Sequence, residues 1–221
     1  MYRIGLKMKK AFTMIELIFV IVVIGILAAV IMPRTGSNKL HEAATQVLSH
    51  IRYTQHLAMV DDKFDENNAT WWKQRWQVRF RTSAGVIQYA VFSNTNQDLN
   101  INCNATSCDE PAVDPLTKLP LFYLASRPNK NMELSNFGIT NLATTCNVDD
   151  NFAYATRLGT IAFDNLGRPY NGIYDSTSPT QYLMTASCDI TLTGAEGVAI
   201  IRVHPETGYA CILNDAGTDC I

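Results

Sequence analysis

One segment constrains this chain more than any other. From Phe12 to Met32 runs a stretch of 21 residues, FTMIELIFVIVVIGILAAVIM, in which only Thr13 and Glu16 are polar. At about 1.5 Å per residue such a run makes roughly 31 Å of helix, the thickness of a bilayer hydrocarbon core. The residues ahead of it, MYRIGLKMKKA, hold Arg3, Lys7, Lys9 and Lys10 and no acid. A basic flank of this kind stays cytoplasmic, so residue 34 onward is expected beyond the membrane. A cleaved secretory signal fits the run poorly. Its apolar region is about 7–15 residues long and ends in a small-x-small site, whereas this run is longer and ends at Met32-Pro33-Arg34.

A plain anchor leaves Glu16 unexplained. A carboxylate inside an apolar span costs roughly 2.5–3.5 kcal/mol on insertion scales and is a functional feature by default. The cost is offset if a positive group waits at the same depth. An N-terminal amine freed just before Phe12 supplies one.

The stretch Lys9-Lys10-Ala11-Phe12-Thr13-Met14-Ile15-Glu16-Leu17-Ile18 resembles the prepilin processing motif of type IV pilins and type II secretion pseudopilins. The resemblance implies cleavage between Ala11 and Phe12 by a membrane prepilin peptidase, with N-methylation of Phe12 by the same enzyme. It also implies pairing of Glu16 with the N-terminal amine of a neighbouring subunit during assembly. The family usually has Gly before the cut, where this chain has the equally small Ala11. Gly25 and Pro33 stand where the family breaks its long helix. Gly lowers helix propensity and Pro removes a backbone donor, so a bend between them is expected. The implied partners are other pilin or pseudopilin subunits, the prepilin peptidase and the inner membrane. The implied location is the bacterial inner membrane, single-pass, with the C-terminal domain in the periplasm and the subunit in a filament after assembly. The leader holds four of the 18 basic residues and none of the 20 acidic ones, so its removal shifts the formal charge from −2 to −6.

After Pro33 the apolar residues Leu40, Ala44, Val47, Ile51 and Ala58, flanked by Leu48 and Leu57, recur at helical spacing and draw one stripe. An amphipathic helix within 34–62 is expected, with Ser37 or Asn38 as its cap and the stripe on a core. His41, His50 and His56 lie on it at gaps of nine and six, which is not metal-ligand spacing; a surface or packing role is expected.

From Trp71 the period changes to two. Trp76, Val78 and Phe80 alternate with Arg75, Gln77, Arg79 and Arg81, and further strands are expected at 85–93, 120–125, 159–163, 188–193, 198–204 and 209–213. The last two, joined by Pro205-Glu206-Thr207-Gly208, form the clearest hairpin. Residues 94–118 and 126–158 are polar and Asn-rich and are expected to be surface loops. The organisation expected is a leader (1–11), a transmembrane and assembly helix (12–33), an amphipathic helix (34–62) and a β-rich periplasmic domain (63–221). This is a pilin-like α+β fold, with a long helix packed on an antiparallel sheet or sandwich-like domain. Trp71 to Trp76, the turn Phe163-Asp164-Asn165-Leu166-Gly167-Arg168-Pro169 and the closing IIRVHPETGY hairpin resemble the FimT and pseudopilin-H group of minor subunits.

All six cysteines, Cys103, Cys108, Cys146, Cys188, Cys211 and Cys220, follow the apolar run. In an oxidising compartment they are disulfide candidates. Proximity favours Cys103–Cys108 and Cys211–Cys220, leaving Cys146 with Cys188. A C-terminal disulfide loop also resembles one found in many type IV pilins. The spacings C-x4-C and C-x8-C, with no His beside them, do not suggest a metal. No catalytic constellation, nucleotide loop or cofactor motif is present, so neither enzyme activity nor a cofactor is expected. His204 and Glu206 read as a surface pair.

Asp149-Asp150-Asn151 and Asp164-Asn165 offer calcium-type oxygens but are more simply solvated turns. Asn68, in Glu66-Asn67-Asn68-Ala69-Thr70, and Asn104, in Asn104-Ala105-Thr106, match N-glycosylation sequons. Lys73, Arg75, Arg79 and Arg81 form a basic stripe on one expected strand face, where they would suit DNA phosphates. The competing reading is a strand edge blunted by charge. Residues 146–221 carry three basic and nine acidic residues, which would repel a polyanion.

Overall fold

Thr13 immediately precedes α1 (Met14–Ile31). The Thr13 hydroxyl accepts the Glu16 N–H at 3.3 Å, and Leu17 N–H reaches the Thr13 carbonyl at 3.2 Å. Thr-x-x-Glu at a helix start is the capping-box spacing, and a carboxylate in the first turn faces the positive end of the helix dipole. The computed structural model describes residues 12–31, 38–97, 109–123, 129–146 and 157–221. The chain divides after Asn38 into two compact units. α1, in the first, runs unbroken through Gly25. A glycine inside a helix costs about 1 kcal/mol against Ala, and the stretch between Gly25 and Pro33 extends beyond the described residues. Pro33 and Ser37 lie outside the described residues.

The second unit opens with α2 (Lys39–Val60). After the 3-10 turn Trp71–Gln74 come β1 (Trp76–Ser83), β2 (Val86–Ser93), β3 (Glu110–Pro111), β4 (Ile139–Thr144), β5 (Arg157–Phe163), β6 (Pro169–Asn171), β7 (Cys188–Gly194), β8 (Gly197–Val203) and β9 (Ala210–Ile212). They form a five-stranded sheet in the order β3-β2-β1-β5-β6 and a four-stranded sheet in the order β4-β7-β8-β9. Every strand pair is antiparallel. β1 and β2 are joined by Ala84 and Gly85, both at positive φ (49° and 79°), the two-residue connection whose twist suits a hairpin.

α2 packs against both sheets. Its Ala44, Val47 and Ile51 are fully buried, as are Val78, Phe80, Tyr89 and Val91 of one sheet and Ile190, Leu192, Ile201 and Val203 of the other. Each such aliphatic or aromatic side chain contributes roughly 1.5–3 kcal/mol by leaving water. The stripe read from sequence is the buried face, extended by Ala43 and Thr54, while Leu57 is only partly covered. The start of α2 is held from afar: Leu40 N–H donates to Glu196 Oε2 at 3.2 Å. Glu196 sits in the two-residue turn between β7 and β8, so this donor is satisfied across the fold.

Three expectations about strands need correction. Residues 139–144, expected in a loop, form β4; a register shift between Ile139 and Asn141 spaces its buried residues Ile139 and Leu142 by three, hiding the two-residue period. Of residues 120–125, the described ones, 120–123, form no strand: Pro120 makes an isolated bridge to Val113 and Leu121 bonds to Val91 and Ala112. β1 is buried on both faces rather than one.

Candidate functional site

The N-terminal unit presents its chemistry at one end. Phe12, Met14 and Ile15 are about four-fifths exposed, and Glu16 is exposed in the first helical turn. From Phe12 to Leu27 the side chains are exposed, apart from the half-exposed Val23, and the helix carries no polar face. A helix apolar all round is not a surface helix of a globular domain. Among the described residues no helix is long and apolar enough to cross a membrane. The side chains of α1 are described from Met14 to Leu27, roughly 21 Å of rise, and the apolar run of the sequence continues to Met32. Ala11, on the far side of the expected cut, lies outside the described residues.

The basic stripe, with Lys73 and Arg75 ahead of β1 and Arg79 and Arg81 on it, is not an open surface. Arg75 and Arg79 are 6% and 3% exposed. Arg75 lies over Tyr170 at 4.4 Å and Trp71 at 5.1 Å and donates to the Pro179 carbonyl at 2.9 Å. Arg79 lies over Phe92 at 5.0 Å and the half-buried Arg81 over Tyr123 at 4.8 Å. Lys73 sits 5.7 Å over Tyr174. These are cation–π contacts inside the domain. The face was expected to be solvated because the strand alternates, but Tyr170, Ile173 and Ala162 form a second small cluster behind the sheet. Buried guanidinium groups are not placed to collect phosphates.

Asp164 is likewise committed. Its Oδ1 accepts the N–H groups of Leu166 and Arg168 at 3.0 and 2.9 Å, and its Oδ2 accepts Arg168 Nε and the Tyr170 hydroxyl at 2.8 and 3.1 Å. Four donors, one cationic, surround a carboxylate that is 2% exposed. That environment repels calcium. Asp149, Asp150 and Asn151 lie outside the described residues, as does Asn104. Asn68 folds back on Thr70, whose N–H and hydroxyl donate to its Oδ1 at 3.0 and 3.1 Å.

The structure adds a groove of about 740 Å³ lined by Gln46, His50, Tyr53, Asp114, Leu121 and Met132 among others. Gln46 Nε2 donates to the buried Tyr89 hydroxyl at 2.9 Å, and His50 Nδ1 lies 2.7 Å from the same oxygen. Burial pulls the His50 imidazole down to about 4, partly opposed by the Asp114 carboxylate, and burial pushes the Tyr89 phenol up. Gln46, His50 and Tyr53 recur at steps of four and three on α2, a signal available in the sequence beside the apolar stripe.

Cys146 and Cys188 form a disulfide with Cα atoms 5.0 Å apart, and Cys211 and Cys220 another at 5.5 Å, both ordinary separations. Cys103 and Cys108 lie outside the described residues. The β8–β9 hairpin also brings a histidine beside the last pair. His204 Nε2 lies 3.8 Å from Cys220 Sγ, so His204 faces sulfur rather than forming the surface pair expected with Glu206. The expectation that no His stands beside C-x8-C holds along the chain but not in space.

The family model of the prokaryotic N-terminal methylation motif matches residues 6–32. The match takes in the second half of the basic leader, Phe12, Glu16 and α1, and supports a type IV pilin-like subunit, membrane-anchored and then filamentous. It carries no information on the FimT or pseudopilin-H group. No curated protein and no solved structure matches the chain.

Proposed function

We propose that this chain is a minor pilin or pseudopilin, a non-enzymatic subunit of a type IV pilus or type II secretion pseudopilus. It is cut between Ala11 and Phe12, N-methylated on Phe12 and anchored in the inner membrane by the apolar run, with the β-rich domain in the periplasm. It works by polymerisation: the new amine of one subunit pairs with Glu16 of the next as the helix leaves lipid for the filament. The observation that carries this reading is the methylation motif over residues 6–32, coincident with a helix whose large apolar side chains stand exposed and whose one acid lies in its first turn. An unpaired carboxylate at that depth is costly, and a partner amine removes the cost.

Intact mass of the protein made in a host with a prepilin peptidase tests the processing. Loss of residues 1–11 with one added methyl is expected; a full-length chain, or a cut near residue 33, sinks the reading. Incorporation of Glu16→Ala into filaments should fail while its processing continues, and normal incorporation would show that Glu16 has no assembly role.

A further inference from the structure

We infer that the C-terminal loop is a second kind of site, a redox-gated seat for a thiophilic divalent cation of the zinc type, held by Cys211, Cys220 and His204. The two Sγ atoms are joined in the disulfide, and the independent observation is that an imidazole nitrogen of His204 approaches that pair, all three atoms lying within 4.8 Å of one another. Two thiolates and one imidazole are a ligand set that selects zinc and its chemical relatives. Metal–ligand lengths of about 2.0–2.3 Å put the ligand atoms of a tetrahedral site roughly 3.3–3.8 Å apart. His204 Nε2 and Cys220 Sγ already stand at 3.8 Å.

The backbone, not the sulfur–sulfur bond alone, holds these groups together. His204 N–H donates to the Tyr209 carbonyl at 2.8 Å, which closes the β8–β9 turn, and the imidazole leans on the Tyr209 ring at 5.7 Å. Cys211 is buried within β9. Cys220 is returned to it by the Leu213–Cys220 bridge, by Asn214 N–H to Asp219 O at 2.8 Å and by Ile221 N–H to Ile212 O at 2.9 Å. Cys220 is exposed, so reductant and metal have access to it.

The two closures of the loop exclude each other. A dithiol reductant passes two electrons and two protons to the Cys211–Cys220 bond and is itself oxidised to a disulfide, leaving two thiols. The cation then displaces both thiol protons to solvent and takes the Nε2 lone pair of neutral His204. Three protein ligands leave a fourth position for water. A chain that reaches the oxidising compartment thus closes its last loop either by oxidation or by a metal.

The test uses the full mature chain in detergent, reduced with a phosphine and titrated with cobalt(II) or zinc(II) alone. The reduced protein should bind one equivalent, with sulfur-to-cobalt charge-transfer absorption. His204→Ala, which leaves both cysteines in place, should weaken binding at least tenfold. Cys146→Ser/Cys188→Ser should leave it intact, and Cys211→Ser/Cys220→Ser should abolish it. The oxidised wild-type chain, folded with its sulfurs blocked, should bind none and serves as the control if the double serine variant fails to fold. Zinc should also slow reoxidation of Cys211–Cys220 at least tenfold in wild type but not in His204→Ala. No binding by the reduced chain, equal binding by the oxidised chain, or indifference to His204→Ala overturns the inference.

Discussion

His50 shows how one half-buried side chain sets a pH response. Its Nδ1 is tied to Tyr89 at 2.7 Å, and Gln46, Tyr53 and Asp114 face the same groove. Its folded value of about 4 lies below the unfolded 6.5, so the unfolded chain binds the proton first as pH falls. The stabilisation is complete above the unfolded value and is lost as pH drops from about 6.5 towards 4. Linkage puts the loss at roughly 2 kcal/mol by pH 5. Urea unfolding of the wild type at pH 7 and pH 5 should show that drop, and His50→Gln should flatten it. Asp164 is the other decisive residue. Replacing it with Ala strands Arg168, Tyr170 and two backbone donors and should lower stability by about 2–4 kcal/mol. Adding calcium to the wild type should not raise its melting temperature through this turn; a rise abolished in Asp164→Ala would contradict the donor-filled geometry.

At the scale of elements, α2 acts as a clamp. Gln55 Nε2 donates to the Gly167 carbonyl at 2.9 Å and to the Thr207 carbonyl at 2.8 Å. The two turns that stand out in the sequence, Phe163–Pro169 and Pro205–Gly208, therefore meet on one helical side chain. Gly208 has φ of +65°, and a Cβ there would run into the Gly167 carbonyl and Gln55. Gly208→Ala should cost about 1–3 kcal/mol, read as a lower urea midpoint with an unchanged slope. The helix stripe, the hairpins and most strands were legible because burial on one face leaves a period in the chain. β4 was not, because its register shift breaks that period. The arginine stripe misled for a related reason: alternation marks two faces but not which is wet, and Arg75 reaches the ring of the distant Tyr170 while Arg79 reaches Phe92 on the neighbouring β2. The His204–Cys220 approach was hidden because sixteen residues of chain separate its partners and only the hairpin closes the gap.

At the scale of the whole molecule, the two disulfides among the described residues, of unequal span, act on the unfolded ensemble. The Cys146–Cys188 bond joins residues 42 apart and the Cys211–Cys220 bond residues 9 apart. The chain-entropy model gives roughly 4 kcal/mol for the first and roughly 3 kcal/mol for the second. Paired Cys→Ala variants of the oxidised protein should follow that order in urea unfolding. The reverse order would mean that native packing around Cys146, not loop closure, sets the difference. The N-terminal motif was the most legible part of the molecule, because a membrane-grade run with one acid leaves few physical alternatives.

The Gln55 clamp has a further consequence for how this surface can change over generations. It grips both turns through main-chain carbonyls, so it is blind to the side chains those turns display. Leu166 and Glu206 stand exposed at this rim. Leu166 can drift freely as long as the turn backbone keeps its shape, while Glu206, at a φ of 61°, is limited to side chains that tolerate the left-handed region, giving the domain a patch of variation mounted on a fixed grip. A subunit built this way can alter what it presents to its surroundings without renegotiating how it folds.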